Sequence, residues 1–146
     1  MIEIKKILLP VDFSKGSDLA ARFAISLAQE YKAKLHVLHV YDPVPQYDYL
    51  AKDYLEDRKK KLEETLANVV PAETKAAIDV EEILAEGRPV HHTIVEKARE
   101  LGDDVIVIAT HGRTGLAHVF LGSVAEHVIR HAACPVLVVR NGEKSS

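Results

Sequence analysis

Three of the seven glycines in this chain, Gly112, Gly115 and Gly122, fall within eleven residues, between the apolar run 104–110 and a segment of helical spacing that opens with Ser123. Glycine admits positive φ and lets a backbone approach another group closely, at a cost in conformational entropy on folding. A glycine-rich turn feeding a helix N-terminus also presents backbone N–H groups and the positive end of the helix dipole, a combination that suits phosphate. The Ser123 hydroxyl can cap that helix, contact a phosphate oxygen, or do both. Asp12, at the end of the first apolar run, can hold a ribose hydroxyl or a divalent cation bridging phosphates, or serve as a turn residue before a helix. Within the glycine segment His111, Arg113 and His118 offer further phosphate contacts, with solvent-facing loop side chains as the alternative.

Two phosphate-binding patterns are excluded. The chain has no G-x-x-x-x-G-K-[ST], and no G-x-G-x-x-G follows the first strand, which argues against a P-loop ATPase and an ordinary dinucleotide-binding domain. Ser14, Ser17, Ser26 and Ser123 sit in no G-x-S-x-G elbow and no carboxylates pair by spacing, so nothing here requires an enzyme. His127 and His131 have the spacing of a helical zinc chelate, but the sequence shows no third ligand. His91 and His92 open a helix as neutral, solvated rings, and His36 and His39 lie in a strand, satisfied by backbone or helix neighbours. The single Cys134 excludes an intrachain disulfide, and its neighbours Ala133, Pro135 and Val136 mark it as buried and inert. With 22 acidic and 19 basic residues the net charge is −3, and Lys59–Lys61 lies among acids as a solvated helix face, so no nucleic-acid partner is expected. No apolar stretch of about twenty residues and no leader pattern occurs, and the expectation is a soluble, cytoplasmic protein without a membrane partner.

The elements that must position these residues alternate. A buried strand over 5–12 precedes a helix from Ser14 to Tyr31, whose stripe of Leu19, Ala20, Phe23, Ala24, Leu27 and Ala28 has helical spacing. A second strand covers 34–41. Pro43 and Pro45 then break regular structure before a charged helix at about 50–69. The third strand runs over 77–87. Pro89 suits the first turn of a helix carrying Val90, Ile94, Ala98 and Leu101, and Gly102 fits its C-terminal cap. A fourth strand at 104–110, a helix at 123–132 and a fifth strand at 135–140 complete one domain over 1–146, with 141–146 as a loose tail. Continuous apolar strands and βα alternation predict an α/β fold, a doubly wound, five-stranded parallel sheet of order 3-2-1-4-5 with helices on both faces. In such a sheet the crevice opens beyond the carboxyl ends of strands one and four, where Asp12 and the glycine cluster lie.

The segments "ILLPVDFS", Gly87-Arg88-Pro89 and "VIVIATHGRTGLAHVFLGSVAEHVIRHAACPVLVV" together resemble the universal stress protein family, from residue 4 to about residue 140. The nucleotide-binding branch of that family carries G-x2-G-x9-G-[ST]. Here the same register gives Ala109, Gly112, Gly122 and Ser123, with alanine in place of the first glycine and Gly115 as an extra glycine in the spacer. The resemblance implies ATP, with magnesium or manganese, as the ligand. Pro10, Val11 and Asp12 would line the nucleoside side, with Asp12 as the metal-holding candidate, and Val40 would lie against adenine. Ala109, Gly112, Arg113, Gly122, Ser123 and Val124 would surround the phosphates. It also implies a homodimer paired through the apolar fifth strand, acting as a nucleotide-dependent regulator in the stress response. A slow magnesium-dependent ATPase, with His111 or His118 near the terminal phosphate, and a nucleotide-free interaction module remain as alternatives.

Overall fold

The computed structural model describes residues 1–43, 51–110 and 121–140. Its elements are β1 (Lys6–Pro10), α1 (Lys15–Tyr31), β2 (Lys34–Tyr41), α2 (Ala51–Ala67), α3 (Ala72–Ala77), β3 (Val80–Glu86), α4 (Val90–Leu101), β4 (Val105–Ala109), α5 (Ser123–His131) and β5 (Val136–Val139). The strands form one parallel sheet in the order β3-β2-β1-β4-β5, as the alternation and right-handed crossovers predict. At its centre Leu8 lies opposite His36 of β2 on one side and Ile106 of β4 on the other.

Alternate residues of each strand feed two cores. Ile7, Leu9, Val37 and Val107 pack on one face against Ala20, Ala24 and Ala28 of α1 and Leu66 of α2. The three alanines recur every fourth residue, so α1 presents a narrow small-residue stripe that can settle close to the sheet. Leu8, Leu38, Ile106 and Ile108 pack on the other face against Ile94, Val95 and Ala98 of α4 and Val128 of α5. Strands covered on both faces must be apolar on both, which is why β1 and β4 read as unbroken hydrophobic runs.

The sheet has two unlike edges. β3, at one end, carries Glu81, Glu82 and Glu86 among its seven residues. β5, at the other, is Val-Leu-Val-Val, and its Leu137 remains 40% exposed. Ile129 of α5 and Leu121 are exposed as well.

Two polar anchors secure the amino end of the sheet. His36 Nδ1–H donates to Asp103 Oδ1 at 2.6 Å in a buried pair that spans β1, and His36 Nε2 is 3.4 Å from Glu81. Asp104 Oδ2 accepts from the backbone N–H groups of Lys5 and Lys6 at 2.8 and 3.0 Å. Gly102 caps α4 with φ of 69°, as its place after the helix suggests.

Several sequence expectations are corrected. The stretch 72–77 is a helix, α3, so the third strand starts at Val80 rather than Ala77. The six residues of α3 are too few to show an amphipathic period. Pro89 is the N-cap of α4 rather than a residue of its first turn, and the Arg88–Pro89 bond is cis. A Cβ at Gly87 would overlap the Thr93 side chain, so close approach is what glycine provides there.

Candidate functional site

A cavity of about 270 Å³ opens at the carboxyl ends of β1 and β4. Its apolar part is built from Val11, Leu38 and Val40 on the strand side and Val90 and Ile94 on α4. Ile108 and Ala109 of β4 continue the wall. Its polar part gathers Asp12, Ser17, Thr110, Gly122 and Ser123, and Pro10, Val124 and Ala125 complete the lining. Residues expected at the site from both halves of the sequence therefore meet in one concavity: Pro10, Val11, Asp12 and Val40 with Ala109, Gly122, Ser123 and Val124. Gly112 and Arg113, with Gly115, His111 and His118, lie outside the described residues.

The α5 end of the cavity has the geometry of an anion cradle. Gly122 is the N-cap, and the first amide bonded to an i−4 carbonyl is that of Glu126, to Gly122 O at 3.0 Å. The amides of Ser123, Val124 and Ala125 thus lack intrahelical acceptors. The capping role that the sequence allowed Ser123 is not the one observed, because Ser123 is the first helical residue and Gly122 occupies the cap. Gly122 has φ −63° and ψ 154°, a conformation open to any residue, so its backbone does not call for glycine. Its N–H donates to Thr110 O at 2.7 Å, and Thr110 N–H donates to Val139 O at 3.0 Å. The two ends of the segment between β4 and α5 are thereby clasped to each other and to the sheet.

At the β1 end, Asp12 belongs to a densely bonded turn. Its Oδ1 accepts from Ser14 N–H at 3.0 Å and from Ser17 Oγ at 2.6 Å, while its own N–H donates to Ser17 Oγ at 3.0 Å. Ser14 is the N-cap of α1, its side chain accepting from Ser17 N–H. Between them Phe13 has φ of 66°, a left-handed conformation that costs a bulky residue about 1–2 kcal/mol. The Phe13 ring lies 4.3 Å from the ring of His39, whose Nδ1–H donates to Val11 O at 2.7 Å.

A pair of histidines joins α4 to α5. His91 at the start of α4 stacks on His127 of α5 with ring centroids 3.9 Å apart, rather than standing free in solvent. His127 Nδ1–H donates to Ser123 O at 2.8 Å. Burial, and then the neighbouring His127, His92 and His131, hold the His91 pKa below its ordinary value. Burial, followed by the charge of Asp103, pushes the Cys134 thiol up, which keeps it protonated and poorly nucleophilic. Among the described residues no group of three His, Cys, Asp or Glu side chains is placed to hold a metal ion, and Asp12 is the one carboxylate in the described lining.

Sequence reading did not single out Ser17 or Thr110 as part of this site. The pair Ser14 and Ser17, three residues apart at a helix start, was the available signal for the first. Thr110 had only its position at the end of an apolar run.

The universal stress protein family model matches residues 3–140 of this sequence. The chain belongs to the universal stress protein family. Family relatives include a universal stress protein of Methanocaldococcus jannaschii, 38% identical over 96% of this chain and 84% of that protein. Another, from Thermus aquaticus, is 39% identical over 93% of this chain and 98% of its own length. Among solved structures, universal stress protein UspA from Lactobacillus plantarum superposes with a TM-score of 0.76 at 27% identity, covering 96% of this chain and all of that one. A universal stress protein solved in complex with cAMP gives a TM-score of 0.73 at 29% identity, over 94% of this chain and 98% of that one. The family match spans every strand of the sheet and both sides of the cavity.

Proposed function

We propose that this universal stress protein is of the nucleotide-binding branch and takes ATP, with magnesium or manganese, at the cavity between β1 and β4. One observation carries the reading: a single concavity joins an apolar wall of Val11, Leu38 and Val40 to the open N-terminus of a nine-residue helix. The first suits a purine and the second suits phosphate. The relative solved in complex with cAMP supports a nucleotide as the ligand. Asp12 offers the carboxylate for a ribose hydroxyl or for one position on a hydrated divalent cation, and a cation there would neutralise phosphate charge. Ser123 and Val124 would meet phosphate oxygens with their open backbone N–H groups, Gly122 would let the phosphate come close to the chain, and Gly112 and Arg113 from the segment between β4 and α5 would join them.

The ligand is held rather than turned over. Phosphoryl transfer needs, besides a cation on the transferred group, a residue that orients the nucleophile, and the one carboxylate of the described lining, Asp12, is bonded into its own turn by Ser14 and Ser17. The domain spans 1–146 and works in the cytoplasm as a homodimer joined through β5, with nucleotide occupancy setting its conformation or its choice of protein partner in the stress response. Among the described residues no helix is long and apolar enough to cross a membrane.

Calorimetric titration of the purified chain with magnesium-ATP, beside mass spectrometry of the denatured protein for copurified nucleotide, tests the reading. Saturable binding with one site per chain is expected. Absence of both copurified nucleotide and measurable binding at millimolar ATP would leave the interaction-module reading in its place.

A further inference from the structure

The cavity contains a buried side chain whose hydrogen bonds all run to one neighbour and its turn. Ser17 is 5% exposed, belongs to the first turn of α1 and lines the cavity beside Asp12. Its Oγ donates to Asp12 Oδ1 at 2.6 Å and accepts from Asp12 N–H at 3.0 Å, closing a ring that fixes backbone and carboxylate together. Ser14 N–H adds a second donor to the same oxygen at 3.0 Å. Two donors on one oxygen set the plane of the carboxylate, and a carboxylate whose plane is set meets a ligand without first losing rotamer freedom.

The turn that Ser17 closes would not hold this shape by itself. Phe13 stands in the left-handed region at φ 66°, and no glycine relieves it. Strain of this kind persists where the surroundings over-determine the backbone. Here the restraints come from both sides: His39 of β2 bonds Val11 O and packs its ring at a tilt against Phe13, and Ser17 of α1 grips Asp12.

We infer that Ser17 is a positioning residue for nucleotide binding, acting through Asp12 by fixing its carboxylate toward the cavity. This rests on the nucleotide reading above and adds a residue and a mode of action to it. The Ser17 hydroxyl donates a hydrogen bond to Asp12 Oδ1, so the part of its contribution that sets the carboxylate disappears when the carboxylate is removed, while the bond it accepts from Asp12 N–H stays.

The test is a double-mutant cycle on the full chain, read by calorimetric titration with magnesium-ATP and by thermal melts of each variant. Ser17→Ala is expected to bind about tenfold more weakly than wild type. Ser17→Thr, which keeps the hydroxyl, should recover most of that loss. In an Asp12→Ala background, Ser17→Ala should change affinity less than about twofold, because no carboxylate is left to position. If Ser17→Ala melts below the assay temperature, Ser17→Cys, similar in size and a weaker donor, replaces it. Equal affinity of Ser17→Ala and wild type overturns the inference alone, as does the same loss in both Asp12 backgrounds. Failure of wild type to bind ATP overturns the nucleotide reading and this inference with it.

Discussion

Gly122 sets the question of this site at the scale of one residue. Its φ of −63° and ψ of 154° are comfortable for a β-branched side chain, so the loss of conformational freedom that glycine brings has no local return. Close approach of a ligand supplies a reason. Gly122→Val should therefore fold with an unchanged melting temperature to within a few degrees and bind ATP at least tenfold more weakly, a loss of about 1.4 kcal/mol or more. Calorimetry beside thermal melts checks both halves, and an intact affinity would overturn close approach of a ligand as the reason for Gly122. The glycine was legible in the sequence because its spacing from Ala109 is a motif. Ser17 was not, since its partner Asp12 lies across a turn whose shape depends on an unusual φ at Phe13, and no pattern of residue types announces a left-handed phenylalanine. His36 and Asp103 are likewise 67 residues apart in sequence and meet only because β1 lies between them in the sheet.

Elements bring a different kind of coupling, most visible where α4 meets α5. The His91 and His127 rings lie face to face at 3.9 Å, one from each helix, and both helices wall the cavity. The groups that lower the His91 pKa are burial and the histidines His127, His92 and His131; on α5 the nearby Glu126 is paired with Arg130 at 2.9 Å. With its folded pKa below the ordinary 6.5, His91 binds a proton more readily in the unfolded chain. Stability is then full above that value and falls as the pH drops through it toward the folded pKa. Thermal melts at pH 7.5 and 5.5 should show a larger decrease for wild type than for His91→Phe, which keeps an aromatic ring in the stack and carries no charge. Identical decreases would place the acid sensitivity elsewhere. Periodicity identified both helices in advance, because each buries an apolar stripe, yet it said nothing of the face on which they touch. The short α3 escaped for the opposite reason, having no buried residue to create a stripe.

For the whole molecule, sheet order followed from the sequence because parallel strands joined by helices leave few right-handed arrangements. What the pattern did not reveal is how the two ends of the sheet differ in exposure. Leu137 and Ile129 at the β5 end are 40% and 41% exposed, whereas β3 bears three glutamates. Edge strands that carry charge resist pairing, and apolar ones invite it. Leu137→Lys should shift the chain from dimer to monomer in sedimentation at micromolar concentration while leaving the fold intact, because Leu137 is more exposed than its core-packed neighbour Val138. A wild type that sediments as a monomer at high micromolar concentration would remove the premise. The asymmetry of the edges also limits how far association can go. On the proposed pairing through β5 the chain is, in the terms of polymer chemistry, a monofunctional unit: it has one reactive end, and the opposite end carries Glu81, Glu82 and Glu86, charged residues of the kind that block strand pairing. A bifunctional sheet would add strands indefinitely and grow into a fibre, whereas two monofunctional units that meet by their reactive ends consume both and terminate the reaction.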